Sequence, residues 1–133
     1  MNALIDTHVL LFALVHPQRL SRTASRFLQN NENQPFVSVV SFWEISLKAS
    51  LGKLRLTGIS PEEVPHYAAS MGLEIEPLKS EVASTFHLLP RLERHRDPFD
   101  RMLVWQAIRG QMPLVSRDRT MSAYEACGLS VIW

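Results

Sequence analysis

The sequence predicts an α/β fold on a mainly parallel sheet, with residues 1–133 as a single domain. Three observations carry this. Short apolar runs alternate with longer segments of helical period, the pattern of strands joined by crossover helices. The eight prolines are scattered, and no repeat, linker or low-complexity stretch divides the chain. At 133 residues, 46% hydrophobic and 20% charged, the chain is large enough to bury about two thirds of its unfolded surface in one core.

The elements follow in order. Ala3-Leu4-Ile5 reads as the first strand, ending at Asp6. A helix runs from Thr7 to about Val15 and stops before Pro17. Ser21 caps a second helix, Arg22 to about Gln29. Phe36 to Val39 is a strand bounded by Pro35. Ser41 then caps a helix reaching Gly52, with Glu44 three residues on, the capping-box spacing. Ser60-Pro61-Glu62-Glu63 starts another helix with proline in its first turn. Leu73 to Glu76 alternates as a strand does, and Ser80 to about Leu89 is helical. Asp97-Pro98-Phe99-Asp100 opens a helix that ends near Gly110. Leu114-Val115-Ser116 is a strand, Thr120 to Cys127 a helix stopped by Gly128, and Val131-Ile132 the last strand. The count is five strands and about seven helices.

Composition narrows the function. The single cysteine, Cys127, excludes an internal disulfide and a cysteine zinc cluster, and fits a reducing compartment. The net charge of +1 is no basic footprint, so a passive nucleic-acid coat protein is excluded. The longest apolar run, Val9 to Val15, is too short to span a bilayer. Met1-Asn2 is no basic leader and Asp6 interrupts the apolar stretch, so a cytoplasmic protein without a membrane role is expected.

The chemistry lies in the acids. There are only four aspartates, Asp6, Asp97, Asp100 and Asp118. In a parallel sheet with crossover helices, strand C-termini and the N-termini of the following helices share one edge, where open α/β sheets bind ligands. Asp6 and Asp118 follow strands, Asp97 and Asp100 open a helix, and Glu44 lies early in another. Carboxylates converging there repel one another unless a cation neutralises them, and oxygen ligands suit Mg²⁺ or Mn²⁺. A water held by such an ion can attack a phosphodiester. Structural roles compete with this one. Asp97 fits a helix N-cap and Asp100 its capping-box partner. Glu44 fits a cap of its own helix or an i,i+4 pair with Lys48. Asp118 fits a turn or a cap of the last helix. Asp6 is hardest to assign to structure alone, because a carboxylate at the buried end of an apolar strand is costly without a counter-ion.

Leu4-Ile5-Asp6-Thr7-His8 with Leu10-Leu11, Phe42-Trp43-Glu44-Ile45 with Lys48 and Leu51-Gly52-Lys53-Leu54, Asp97-Pro98-Phe99-Asp100-Arg101, and Ser116-Arg117-Asp118 stand in order along the chain. Together they resemble the PIN-domain family, in particular the VapC-like toxins of bacterial toxin–antitoxin pairs. The resemblance spans nearly the whole chain. It implies a three-layer α/β/α fold with a five-stranded parallel sheet in the order 3-2-1-4-5. It also implies Mg²⁺- or Mn²⁺-dependent ribonuclease activity, a cognate antitoxin and a homodimer. Carried over, the catalytic and metal-binding residues are Asp6, Glu44, Asp100 and Asp118, with Asp97 accessory and Ser116 at the family's hydroxyl position. Asp6 and Asp100 are expected to hold the metal, with Glu44 and Asp118 acting through water or orienting the nucleophile. Phe12 departs from the tryptophan common in the subgroup.

Setting aside those four acids leaves nine acidic residues against fourteen basic ones, a mildly basic body around an acidic hole, as a phosphodiester substrate requires. Arg91, Arg94, Arg96 and Arg101 bracket the expected site and can steer phosphates, or form a solvated loop. His95 and His8 fit surface or structural histidines better than proton carriers; His16, His66 and His87 carry no motif. Leu51, Leu54 and Leu56 fit either the core or a groove for an antitoxin helix, and Trp133 fits the edge of the core. Rival hydrolases lack their motifs. A haloacid-dehalogenase-type phosphatase needs an acid where His8 stands, and the serine-hydrolase elbow and the phosphate-binding glycine loop are missing. The non-enzymatic alternative is a metal-free PIN-like module that binds RNA or protein.

Overall fold

The computed structural model describes residues 1–133. Its sheet has five strands, β1 (Asn2–Ile5), β2 (Gln34–Ser38), β3 (Glu74–Glu76), β4 (Leu114–Val115) and β5 (Val131–Ile132). All pairings are parallel and the order is β3-β2-β1-β4-β5, the order that the resemblance implies. Six α-helices accompany it: α1 (Thr7–Val15), α2 (Arg22–Gln29), α3 (Val39–Ser50), α4 (Val64–Ser70), α5 (Ser80–Thr85) and α6 (Pro98–Arg109).

Both faces of the sheet are buried, as parallel strands require. Side chains alternate across it. Ala3 and Ile5 of β1, Val37 of β2 and Val115 of β4 join a core with Val9, Leu10, Phe27, Ile45 and Val64. Leu4 and Leu114 point the other way, into a core with Val82, Leu103, Val104, Met121 and Tyr124. Helices α1, α2 and α4 therefore cover one face and α5 and α6 the other, giving the three layers. Leu54, Leu56 and Trp133 pack against the first core, whereas Leu51 is exposed.

Several local expectations are corrected. Val39 belongs to α3, and the cap is Ser38, whose hydroxyl accepts the Val40 N–H. Ser38 is held there by donating to Gln106 of α6. Ser41 is thereby placed inside the helix and buried, so Glu44 closes no capping box. The expected helix over Ser80 to Leu89 splits into α5 and a 3₁₀ turn, Phe86–Leu88. The segment Arg119–Cys127 is 3₁₀ throughout and ends at Gly128 in the left-handed region (φ 97°), where a side chain would be strained.

The chain runs from β1 outward to β3, then returns to β4 on the other side of β1. The strand order reverses between β1 and β4, and a crevice opens there past their C-termini. The register aligns Ile5 with Val115, so Asp6 and Ser116 emerge side by side.

Candidate active site

Asp6 is the first residue past β1 and is buried, 3% exposed. Its Oδ1 accepts the Val9 N–H at 2.8 Å and caps α1, and the Ser116 hydroxyl lies beside the carboxylate. Burial still raises its pKa above the usual carboxylate range, against the neighbouring Ser116 hydroxyl, the Val9 hydrogen bond and the His8 charge, with Glu44 adding to the rise. Ser116 Oγ accepts the Asp118 N–H at 3.1 Å, so one hydroxyl stands between the ends of β1 and β4.

Glu44, one turn into α3, is 1% exposed. Its Oε1 accepts the Thr7 hydroxyl at 2.6 Å and its Oε2 pairs with Lys48. The i,i+4 pairing is therefore present, and it leaves Glu44 facing the acids rather than its own helix end. Thr7 is a site residue that the sequence reading passed over. Next to Asp6 in the chain, it ties α1 to Glu44, thirty-seven residues away.

Asp97 caps α6, accepting the Phe99 and Asp100 N–H groups at 2.9 and 3.0 Å. Asp100 is no capping-box partner. Its carboxyl stands one turn in, among the other acids, and its pKa is pushed up to about 7. Burial is the main cause, followed by the charges of Asp97, Glu44, Asp6 and Asp118. Asp118 caps the 3₁₀ segment, using Oδ1 to accept the Thr120 N–H and hydroxyl. Its cap role and its place in the site coexist.

The five acids thus gather around Asp100. Carboxylate oxygens of Glu44, Asp97 and Asp100 lie within 4.8 Å of one another, and so do ligand atoms of His95, Asp100 and Asp118. Asp6 falls outside both sets but lines the same hollow, of about 460 Å³, with Asp100, Asp118, His8, Phe12, Arg117 and Arg119. The donor set is mostly hard oxygen, and among its acids only Glu44 has a lysine or arginine ion-pair partner, Lys48, which fits a divalent cation such as Mg²⁺ or Mn²⁺.

Of the two roles expected for it, surface or structural, His95 has the structural one. It is buried, its Nδ1 hydrogen-bonds the Tyr124 hydroxyl at 2.6 Å, and its Nε2 has no hydrogen-bond partner. Burial lowers its pKa against the Asp118 charge, which favours the neutral imidazole. The arginines divide. Arg101 donates to the Leu89 and Pro90 carbonyls and stacks on Phe86, so it anchors the loop before α6. Arg91, Arg96 and Arg101 line an adjoining hollow of about 440 Å³ that also touches His95, and Arg94 is exposed nearby. Arg117 and Arg119, unremarked in the sequence, border the acidic hollow itself.

This fold and site can be compared with known proteins. The PIN domain family model matches residues 3–126. The chain belongs to the PIN-domain family. Solved structures with the same fold include a chain of VapBC2 from Rickettsia felis bound to a DNA fragment from its promoter. That chain has a TM-score of 0.69 and 15% identity, over 98% of this chain and 97% of that one. A chain of VapBC-1 from nontypeable Haemophilus influenzae has a TM-score of 0.64 and 13% identity, over 98% and 96%. A chain of FitAcB from Neisseria gonorrhoeae has a TM-score of 0.62 and 17% identity, over 98% and 96%. No curated protein matches the chain. No helix of this PIN domain is long and apolar enough to cross a membrane.

Proposed function

We propose that this PIN domain is a divalent-metal-dependent endoribonuclease, Mg²⁺ or Mn²⁺ serving as cofactor, and the toxin of a toxin–antitoxin pair. The observation that carries the reading is Asp100. Its carboxyl is raised to about 7 by burial and four neighbouring acids, an arrangement that is unfavourable until a cation enters it. Asp6, Asp100, Asp118 and Glu44 would hold the ion, with Asp97 accessory. The bound ion would polarise the scissile phosphate and activate water.

The remaining work falls to this chain's own groups. Ser116, beside Asp6, would favour its charged form. Thr7 and Lys48 hold Glu44 in one rotamer, facing the cluster. Arg94 and Arg96, with Arg117 and Arg119, would seat backbone phosphates on either side of the acids. Arg101 would hold the loop that carries Arg94 and Arg96 and add its own charge to the hollow it lines with Arg91 and Arg96.

The structural neighbours include a complex described as a toxin–antitoxin complex, from Klebsiella pneumoniae, with a TM-score of 0.59 and 19% identity. A partner surface is available here. Val39, Trp43, Leu47 and Leu51 are exposed at successive four-residue steps along and just beyond α3, an apolar stripe suited to a second copy or an antitoxin helix. The antitoxin would also reach the acidic hollow with a cationic side chain. The protein would act in the cytoplasm, where its RNA substrates are. Expression without an antitoxin should arrest growth, and Asp6→Asn should relieve the arrest, as read from growth curves at matched protein levels. Normal growth with the unchanged protein would count against the toxin role.

A further inference from the structure

Two buried side-chain polar atoms in this PIN domain are left without a protein partner, Arg101 Nε and His95 Nε2, and the second lies beside two of the acids. His95 is 5% exposed, and its Nε2 is 3.9 Å from Asp100 Oδ2 and 3.8 Å from Asp118 Oδ2. Both separations are too long for a hydrogen bond. Both are shorter than twice a metal–ligand bond, about 4.2 Å, and ligand atoms of all three residues lie within 4.8 Å of one another, so small side-chain movements bring the three onto one ion.

We infer that His95 Nε2 is a metal ligand alongside Asp100 and Asp118, giving this site a nitrogen donor and a preference for Mn²⁺ over Mg²⁺. The inference rests on the acidic hollow being a divalent-cation site, and adds to that reading which atom besides oxygen binds the ion. The ring is fixed for the task. It packs edge-on against the buried Tyr124 ring, with centroids 5.2 Å apart and planes at 74°. The Tyr124 hydroxyl can donate to Nδ1 or accept from it, so it accommodates either tautomer. A cation at Nε2 selects the form in which Nδ1–H donates to Tyr124, the outer-shell partner that ligating histidines use. Mg²⁺ prefers oxygen and water, whereas first-row transition ions gain from imidazole. The nitrogen therefore separates ions that four carboxylates alone would treat similarly.

The test is electron spin-echo spectroscopy of the protein loaded with Mn²⁺, with calorimetric titrations of Mn²⁺ and Mg²⁺. Nitrogen modulation from a bound imidazole is expected in the unchanged protein and is expected to vanish in His95→Gln. That substitution should weaken Mn²⁺ binding about tenfold and Mg²⁺ binding much less. Tyr124→Phe keeps the ring and removes the outer-shell oxygen, and should weaken Mn²⁺ binding about tenfold. If His95→Gln fails to fold, the spectrum of the unchanged protein and the Tyr124→Phe titration decide the matter. Mn²⁺ binding that Asp100→Asn abolishes but that shows no nitrogen modulation would overturn the role of His95 and leave the acidic site standing. No Mn²⁺ binding at all would overturn both.

Discussion

Replacing Asp6 with asparagine is expected to abolish RNA cleavage while leaving the metal-free fold at least as stable. Two features of Asp6 decide this. Its Oδ1 caps α1 by accepting the Val9 N–H, and asparagine caps helices about as well as aspartate. Its charge, by contrast, is buried against Glu44 and raises the cost of ionisation at the site. Asp6→Asn keeps the cap and removes the charge. In EDTA the melting of this variant should therefore match or exceed that of the unchanged protein, by up to about 1 kcal/mol. Asp6→Ala loses the cap as well, and should fall about 1 kcal/mol below Asp6→Asn. Both variants should be inactive, and both should lose most of the stabilisation that Mg²⁺ gives the unchanged protein. Thermal melts of the three proteins, with EDTA and with Mg²⁺, separate the cap from the charge.

The metal-free protein should lose stability as pH rises from about 5 to 8. Burial, and then the charges of Asp97, Glu44, Asp6 and Asp118, raise the folded-state pKa of Asp100 to about 7. In the unfolded chain the same carboxyl titrates at about 3.9, as in short peptides. Between those values the folded state holds a proton that the unfolded state has released. The stabilising contribution is fully present below the unfolded pKa and is lost as pH rises through about 7. From about pH 5 to about pH 8 the loss is on the order of 2 kcal/mol. Asp6, raised in the same direction by burial, adds to it. His95 works oppositely, since burial lowers its pKa and its protonation at acidic pH opposes folding. Asp100→Asn retains the His95 contribution and lacks that of Asp100, so it is the right baseline. Denaturant melts in EDTA should show the unchanged protein losing stability relative to Asp100→Asn as pH rises. Saturating Mg²⁺ or Mn²⁺ should restore it at about pH 8, by about 3 kcal/mol at roughly a hundred times the dissociation constant.

Much of this is readable in the chain because a buried parallel sheet writes itself as short apolar runs, and because acids directly after such runs have one edge on which to stand. Asp6 and Asp118 are recognisable on that ground, and Glu44, Asp97 and Asp100 by standing early in helices that start at the same edge; Asp6, Asp100 and Asp118 line one hollow, and Glu44 and Asp97 approach Asp100. What the sequence hides depends on contacts distant along the chain. Ser38 rather than Ser41 caps α3 because Gln106, sixty-eight residues on, accepts its hydroxyl proton. His95 reads equally as a surface or a structural histidine because Tyr124, which fixes it, is twenty-nine residues away. Arg101 reads as a phosphate contact, and the sequence does not show that its Nη2 also donates to the carbonyls of Leu89 and Pro90. Hydrophobic period alone does not separate 3₁₀ from α-helix at Arg119–Cys127. Asp97 and Asp118 show a further point, that a helix cap and a site acid can be the same residue.

The central claim is that the acids gathered around Asp100 hold a divalent cation for hydrolysis of RNA. Mapping the ends produced when the purified protein cuts total RNA tests it most directly. Attack by a cation-activated water leaves a 5′-phosphate and a 3′-hydroxyl, because the RNA 2′-hydroxyl takes no part. The expected result is those ends in Mg²⁺ or Mn²⁺, with no cutting in EDTA and none by Asp100→Asn. Ends carrying 2′,3′-cyclic phosphate, or full cutting in EDTA, would contradict the account.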